Sequence, residues 1–235
     1  MEYPLLDKRL STVATFVRAG SVVADIGTDH GYLVANLVAR GVCPRAFACD
    51  IGSLPLARAR DTVTRYGLMD KINLMLSDGL SALAPLDAQD IVIAGMGGEL
   101  IVKILDACNW ITNQSVRLIL QPMTKPEELR RYLYRSGYEI TQERGVCVGK
   151  HCYTVLCAHF TGKRIIEPDE LAVTRGKLCG SRDEESREYI KRLLKRERRK
   201  EEGLRASALP NRKTLAAQVR ERIKQMEHAT GITLE

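Results

Sequence analysis

Apolar positions along this chain follow two rhythms. Short apolar or β-branched runs of strand length occur at residues 22–24, 45–51, 72–76, 90–94 and 116–120. Between them, apolar residues recur at helical spacing, as in Leu33, Val34, Leu37 and Val38. Residues 3–19 predict an opening helix with Leu5, Leu6, Leu10, Val13, Phe16 and Val17 on one face. Further helices are expected over residues 54–66, from Glu99 onward and over 126–136. The rhythm then changes. Residues 137–148 and 151–160 read as two strands around the turn Gly149-Lys150, with no helix between them. Strands alternating with helices predict a largely parallel α/β sheet.

Ligands of such sheets sit at the carboxyl ends of the strands. The stretch at residues 21–33, SVVADIGTDHGYL, is the opening strand, loop and helix, and its strand ends in an acid, Asp25. The order Asp25, Gly27, Asp29, Gly31 is not the G-x-G-x-x-G of a dinucleotide fold. An acid here suits a ligand with a cationic end and suits a pyrophosphate poorly. The same stretch also reads as a plain strand–helix turn. Asp50 ends the second strand, 19 residues beyond Gly31, where an acid can accept from both hydroxyls of a ribose. Its alternative is to cap the next helix, for which Ser53 is the better candidate. Ser77-Asp78-Gly79 suits either a contact to an adenine amino group or a turn. Gly95-Met96-Gly97-Gly98 puts three glycines in four residues after the fourth strand, an entropically expensive loop suited to close approach of a ligand.

Composition narrows this picture. The 235 residues, 45% hydrophobic, allow one ordinary domain plus an appendage. No apolar run approaches the roughly 18–20 residues of a membrane span. The N-terminal residues lack the apolar segment of a secretory signal. Seven cysteines without framework spacing are read as reduced thiols of a cytoplasmic protein. Cys147, Cys152 and Cys157 recur every five residues, so successive ones are expected on opposite sheet faces. They are therefore read, with His151 and His159 nearby, as core residues and not metal ligands.

The net charge is +7, and residues 161–235 hold 19 Lys and Arg against 13 Asp and Glu. Residues 162–180 are expected to be a linker with a short helix. Residues 181–206 predict a charged helix with a seam of Ile190, Leu193, Leu194 and Leu204. After the turn Pro210-Asn211, Leu215, Val219, Ile223 and Met226 predict a second helix, giving an antiparallel, coiled-coil-like hairpin. The run KRLLKRERRK at residues 191–200 carries seven positive charges. It reads equally as a solvated face or as a contact for an RNA backbone.

The segments LDKRLSTVA, DIGTDHGYL, ACDI, SDGL, IAGMGGEL and LILQPM, with the helical hairpin, resemble the bacterial tRNA adenine-22 N1-methyltransferase family (TrmK) over nearly the whole chain. The first loop is similar to the D/E-x-G-x-G-x-G of class I S-adenosyl-L-methionine (SAM)-dependent methyltransferases, with Asp29 in place of the middle glycine. The loop after the fourth strand lacks the N/D-P-P-F/Y motif of many amino-methylating enzymes.

The resemblance implies a Rossmann-like, seven-stranded class I methyltransferase domain over residues 1–161, with strand order 3-2-1-4-5-7-6 and the seventh strand antiparallel. A basic helical, coiled-coil-like domain then covers residues 162–235. It also implies SAM as cofactor, tRNA as partner, methylation of adenine N1, and neither metal nor membrane. Asp25, Gly27, Thr28, Asp29, His30 and Gly31 would surround the methionine part of SAM, with Arg9 reaching its carboxylate. Asp50 and Ile51 would hold the ribose and flank the adenine, and Asp78 and Gly79 would read the adenine edge. Gly95, Met96 and Gly97 would form the floor between cofactor and target base. Asp29, Met96 and Gly97 are the candidate catalytic residues. Asp29 is read either as a carboxylate at the transfer point or as a cap of the following helix. His30 is read as packing on the cofactor side, with the target base as the alternative. Other readings are a methyltransferase acting on another RNA such as rRNA, or a non-catalytic RNA-binding module on the same scaffold.

Overall fold

Val23, Ala24, Asp25 and Ile26 are all buried, so their strand has no solvent face and requires helices on both sides of the sheet. A computed structural model, which describes residues 2–178, 183–207 and 209–233, shows that arrangement. The chain runs α1 (Lys8–Ala14), β1 (Val23–Ile26), α2 (Tyr32–Ala39), β2 (Ala46–Asp50), α3 (Ser53–Arg65) and β3 (Ile72–Leu76). It continues through β4 (Asp90–Gly97), α4 (Gly98–Asp106), β5 (Arg117–Thr124), α5 (Pro126–Arg135), β6 (Tyr138–Val148) and β7 (His151–Phe160). Three helices follow: α6 (Glu170–Arg175), α7 (Glu184–Arg205) and α8 (Pro210–Thr230).

The strands form one seven-stranded sheet in the order β3-β2-β1-β4-β5-β7-β6. β7 is antiparallel to both β5 and β6, and the other pairings are parallel. This is the order and polarity expected of a class I methyltransferase. Ile26, Ile91, Ile93 and Leu118 fill one side of the sheet, and Val23, Ala48, Val92 and Ile119 the other. Among the described residues no helix is long and apolar enough to cross a membrane.

Four expectations need correction. The opening helix is short, because Asp7 caps it by accepting from Leu10 N at 2.7 Å, and after Ala14 the chain closes i→i+3 turns instead. Leu5 is therefore 87% exposed and not part of a buried face. β4 does not end at Ala94 but continues to Gly97, paired with β5 through register shifts around Met96. Thus Gly95–Gly97 are strand backbone where a loop was expected. Ser53 is the first residue of α3, not its cap, and Gly52 holds that position.

The cysteine reading also changes. Cys147 and Cys152 are directly opposed on β6 and β7 and are joined in a disulfide. Alternation of faces holds along one strand, whereas these two are separated by a turn, so ladder register decides which face they share. They are not reduced thiols here. Cys43, Cys49, Cys108 and Cys157 are free, and burial pushes the Cys43 and Cys49 thiols up to about 12.

The C-terminal helices pack as the expected antiparallel hairpin. Ile190, Leu193, Leu194 and Leu204 meet Ala216, Val219, Ile223 and Met226. Leu215, expected in this seam, is 45% exposed, and Ala216 takes its place. Arg198–Glu227, Arg220–Glu201 and Arg222–Glu197 ion pairs, each 2.7 Å, cross between the two helices. Gly180 and Ser181, at the expected linker–helix boundary, lie outside the described residues.

The hairpin is bound to the sheet through polar contacts. Gly145 N of β6 donates to Ser186 Oγ at 2.8 Å, and a Cβ at Gly145 would stand 2.7 Å from Ser186 Cα. Beneath this contact lies a buried ion pair. The side chains of Arg130 and Glu143 are both fully buried, with Arg130 Nη2 2.7 Å from Glu143 Oε1. Arg130 Nη1 also donates to the carbonyls of Val173 and Thr174. Glu143 accepts further from Thr154 Oγ1 at 2.6 Å and Lys177 N at 2.8 Å. Burial opposes the charge on Arg130, but Glu143 and Tyr189 beside it more than offset this and raise its pKa. The node ties α5, β6, β7 and the segment that leads to α7.

Breaking half of such a pair strands a buried charge. E143A is expected to lose about 3–5 kcal/mol of unfolding free energy in urea melts, while the paired apolar change R130M/E143L recovers most of it. A single variant that unfolds with the wild type would show that the pair is not needed.

Candidate active site

The expected site residues gather along the carboxyl edge of the sheet, at the ends of β1, β2, β3 and β4. Main-chain bonds lace these ends together. Gly27 N and Thr28 N both donate to Cys49 O, at 2.8 and 3.0 Å, and Ser77 N donates to Asp50 O at 2.9 Å. The first loop is thereby fixed to the end of β2, and the loop after β3 likewise.

Asp25 is 5% exposed and accepts from Thr28 Oγ1 at 2.8 Å. Burial pushes its carboxyl up from 3.8 to about 6. The Thr28 bond works against that rise, the nearby Asp50 charge adds to it, and Arg9 opposes it. Among the described residues Asp25 has no ion-pair partner. It is a buried acid that a cationic ligand would relieve.

Asp50 spans two loops. Its Oδ2 accepts from Asp29 N at 3.1 Å and its Oδ1 from Gly52 N at 2.9 Å. Each carboxylate oxygen has a second lone-pair direction, so two acceptor positions remain. Ile51 beside it is 69% exposed. Asp78 is exposed and Gly79 half-buried against Ile104. A cleft of ≈ 590 Å³ opens next to them, walled by Leu100, Ile104 and Trp110.

Asp29 is held at φ +50°, a left-handed conformation that Asp tolerates better than most residues. The backbone requirement thus accounts for an Asp where related loops carry glycine. Among the described residues its carboxylate makes only long ionic contacts, 3.8 Å to Arg58 Nη1 and 3.7 Å to His30 Nε2. The expected cap role is not seen, since Gly31 is the N-cap of α2 and makes no side-chain bond. The ring of His30 stacks on Tyr32, with centroids 5.2 Å apart.

On the floor, Met96 covers Gly27 so closely that a Cβ there would run into Met96 Cε. A Cβ on Gly97 would stand 3.2 Å from Thr124 Oγ1. No hydrogen bond or ion pair among the described residues joins Asp29, on the loop after β1, to Met96 or Gly97, on β4. Arg9 reaches in from α1, where its Nη1 donates to Gln121 Oε1 at 2.8 Å. Gln121 was not singled out from the sequence. A polar residue closing the apolar run LIL was the available signal.

Comparison with known proteins decides the family. A family profile described as a methyltransferase domain matches residues 6–156. The tRNA (adenine(22)-N(1))-methyltransferase of Bacillus subtilis (strain 168) is 37% identical over 175 residues, 74% of this chain and 73% of that protein. The chain belongs to the tRNA (adenine(22)-N(1))-methyltransferase family. The crystal structure of the B. subtilis enzyme TrmK matches with a TM-score of 0.81 at 27% identity, covering 96% of this chain and 99% of that one. A Streptococcus pneumoniae structure in complex with SAM matches with a TM-score of 0.77 at 30% identity, over 94% of this chain and 99% of that one. Family membership therefore extends through the C-terminal hairpin as well as the sheet.

The state of Asp25 makes a pH prediction for this methyltransferase. Between 3.8 and about 6 the folded protein holds a proton that the unfolded chain has lost, so stability falls as pH rises through that window and stays reduced above it. D25N removes this cost and keeps an acceptor for Thr28. Without ligand at pH 7.5, D25N should be more stable than wild type by on the order of 2–3 kcal/mol, a gain that vanishes near pH 4. Thermal melts at both pH values check this, and a D25N protein that melts at or below wild type at pH 7.5 contradicts it.

Proposed function

We propose that this protein transfers a methyl group from SAM to N1 of adenine 22 in tRNA, the reaction named for its B. subtilis relative. The observation that supports it most is the pairing, within a member of this family, of a buried unpaired acid at the end of β1 with a ribose-type acid at the end of β2. These residues fit SAM. Asp25 faces a need for positive charge, Asp50 keeps two free acceptor positions, and Ile51 offers an exposed apolar flank.

When bound, SAM supplies a methyl group already activated by its sulfonium. The protein's work is then mostly alignment. In this reading Asp25, Gly27, Thr28, His30 and Gly31 enclose the methionine part, and Arg9 holds its carboxylate. Asp50 binds the ribose hydroxyls, and Ile51, Asp78 and Gly79 border the adenine. Gly95, Met96 and Gly97 form the floor on which the target base rests. Adenine N1 lies on the Watson–Crick edge, so the base must be unpaired to enter. The methylated ring is cationic until a proton leaves. Asp29 is assigned the balancing carboxylate, available because its contacts with Arg58 and His30 are long. Residues 1–161 act as the catalytic domain and 162–235 as the RNA-facing appendage. A tRNA substrate places the reaction in the cytoplasm.

The seven cations of the basic run on α7 are three that are paired, three along one exposed face, and Lys200. Arg192, Arg196 and Arg198 pair with Glu188, Glu127 and Glu227. Lys191, Lys195 and Arg199 are exposed, lie four residues apart on one face and have no ion pair among the described residues. We assign this stripe to the tRNA backbone.

Methyl transfer from labelled SAM to unmodified bacterial tRNA, followed by nucleoside analysis, tests the reaction. The expected product is 1-methyladenosine. SAM binding without label in tRNA would reject the substrate and direct the assay to rRNA. D50A should weaken SAM binding about tenfold or more, the scale of hydrogen bonds to a charged group. Wild-type affinity in that variant would reject the ribose assignment. K191E/K195E/R199E should weaken tRNA binding and flatten its salt dependence, by about one unit of slope per lost phosphate contact, while SAM binding holds. An unchanged slope would make the stripe a solvated face only.

A further inference from the structure

Gln121 is a fully buried polar side chain at the carboxyl end of β5. Its Oε1 accepts two hydrogen bonds, from Arg9 Nη1 at 2.8 Å and from Gly95 N at 3.0 Å. Its Nε2 donates to Pro122 O at 3.1 Å and lies 3.6 Å from Met123 Sδ. This pattern fixes the amide, because a flip would turn two donors onto two donors.

The need for that oxygen comes from the sheet. Ala94 pairs with Gln121 and Met96 with Pro122, so Gly95 is the residue left over at the register shift. Its N–H has lost its ladder partner, and the Gln121 side chain supplies one. The same oxygen holds the Arg9 guanidinium over the bulge, where Nη1 is 3.5 Å from the position of a Cβ on Gly95. The acceptor closest to Arg9 is this neutral amide, and among the described residues its ion pair, with Asp7, is long at 3.7 Å. A neutral acceptor orients a cation without neutralising it, which a Glu at this position would not do.

We propose that Gln121 is a positioning residue that aims Arg9 at the amino-acid carboxylate of SAM while locking the Gly95 bulge of the site floor. The inference rests on the assignment of Arg9 to that carboxylate.

The test is calorimetry on the full-length protein with two probes. SAM carries the carboxylate. 5′-Methylthioadenosine keeps the adenosine and the sulfur but has no amino-acid part. Q121M removes the acceptor at nearly constant volume, and Q121E keeps both hydrogen bonds that Oε1 accepts, loses the one donated to Pro122 O and sets a negative charge against Arg9. Each should weaken SAM about tenfold and leave 5′-methylthioadenosine within about twofold. In assays KM for SAM should rise by a larger factor than kcat falls. R9M should show the same split, and R9M/Q121M should lose no more than R9M alone. A merely structural Gln121 would instead give equal losses for both probes, with Q121M or with Q121E. Either result overturns the inference, as does additivity in the double variant. If R9M itself binds SAM normally, the Arg9 assignment falls and takes this inference with it, while SAM binding by the wild type still stands for the cofactor. Should Q121M fail to fold, Q121E, which keeps the acceptor oxygen for Arg9 and Gly95, decides the question with the same two probes.

Discussion

Everything at the site depends on how the carboxyl ends of the parallel strands are held to one another. A parallel sheet exposes unpaired backbone groups where its strands end, and these must find partners. Here they find one another. Gly27 and Thr28 bond to Cys49 across the β1–β2 boundary, and Ser77 bonds to Asp50 across β2–β3. Asp50 then returns to the Asp29 amide, and Gln121 reaches the Gly95 amide across β4–β5. The side chains that would meet a ligand are thus carried on a laced rim. Precision in placing them is a property of backbone bonding first and of side-chain packing second.

The hairpin is coupled to this rim by a different means. Apolar contacts join α7 to α8, but the sheet meets α7 through Ser186, Glu185 and the residues above the Arg130–Glu143 pair. Polar contacts of this kind specify orientation more strictly than apolar ones, since each donor and acceptor must be matched. The angle at which α7 leaves the sheet therefore follows from the chemistry of β6. Two of the nine cations on α7 hold helices together, Arg196 through Glu127 of α5 and Arg198 through Glu227 of α8. The charge that remains for a polyanion is smaller than composition suggests, and it is arranged in a line.

Much of the sheet was legible in the sequence, because buried parallel strands are short apolar runs and the helices between them keep a separate period. β3 and β7 have the bounds expected of them. The strand-end acids were legible in position too, Asp50 as the last residue of β2 and Asp25 one before the end of β1. What escaped were features fixed by register and backbone. Glycines read as a loop at 95–97 because nothing local says that β5 extends to pair with them. The Cys147–Cys152 bond escaped because face alternation was counted along the chain and not across the turn. The left-handed backbone of Asp29 is invisible in a residue string, and so is the second function of Gln121, whose two partners are 112 and 26 positions away.

The floor assigned to the site is made largely of main chain. Gly27, Gly95 and Gly97 carry no side chain, and Met96 is pressed onto Gly27 so tightly that none fits between them. Such a surface has few routes of variation. A substitution at Gly27 displaces Met96, and one at Gly95 must accept a positive φ of 84°. An inhibitor that drew its affinity from these backbone groups, and not from the exposed Ile51 or Leu100, would leave the protein little room to acquire resistance without losing the shape that admits its own substrates.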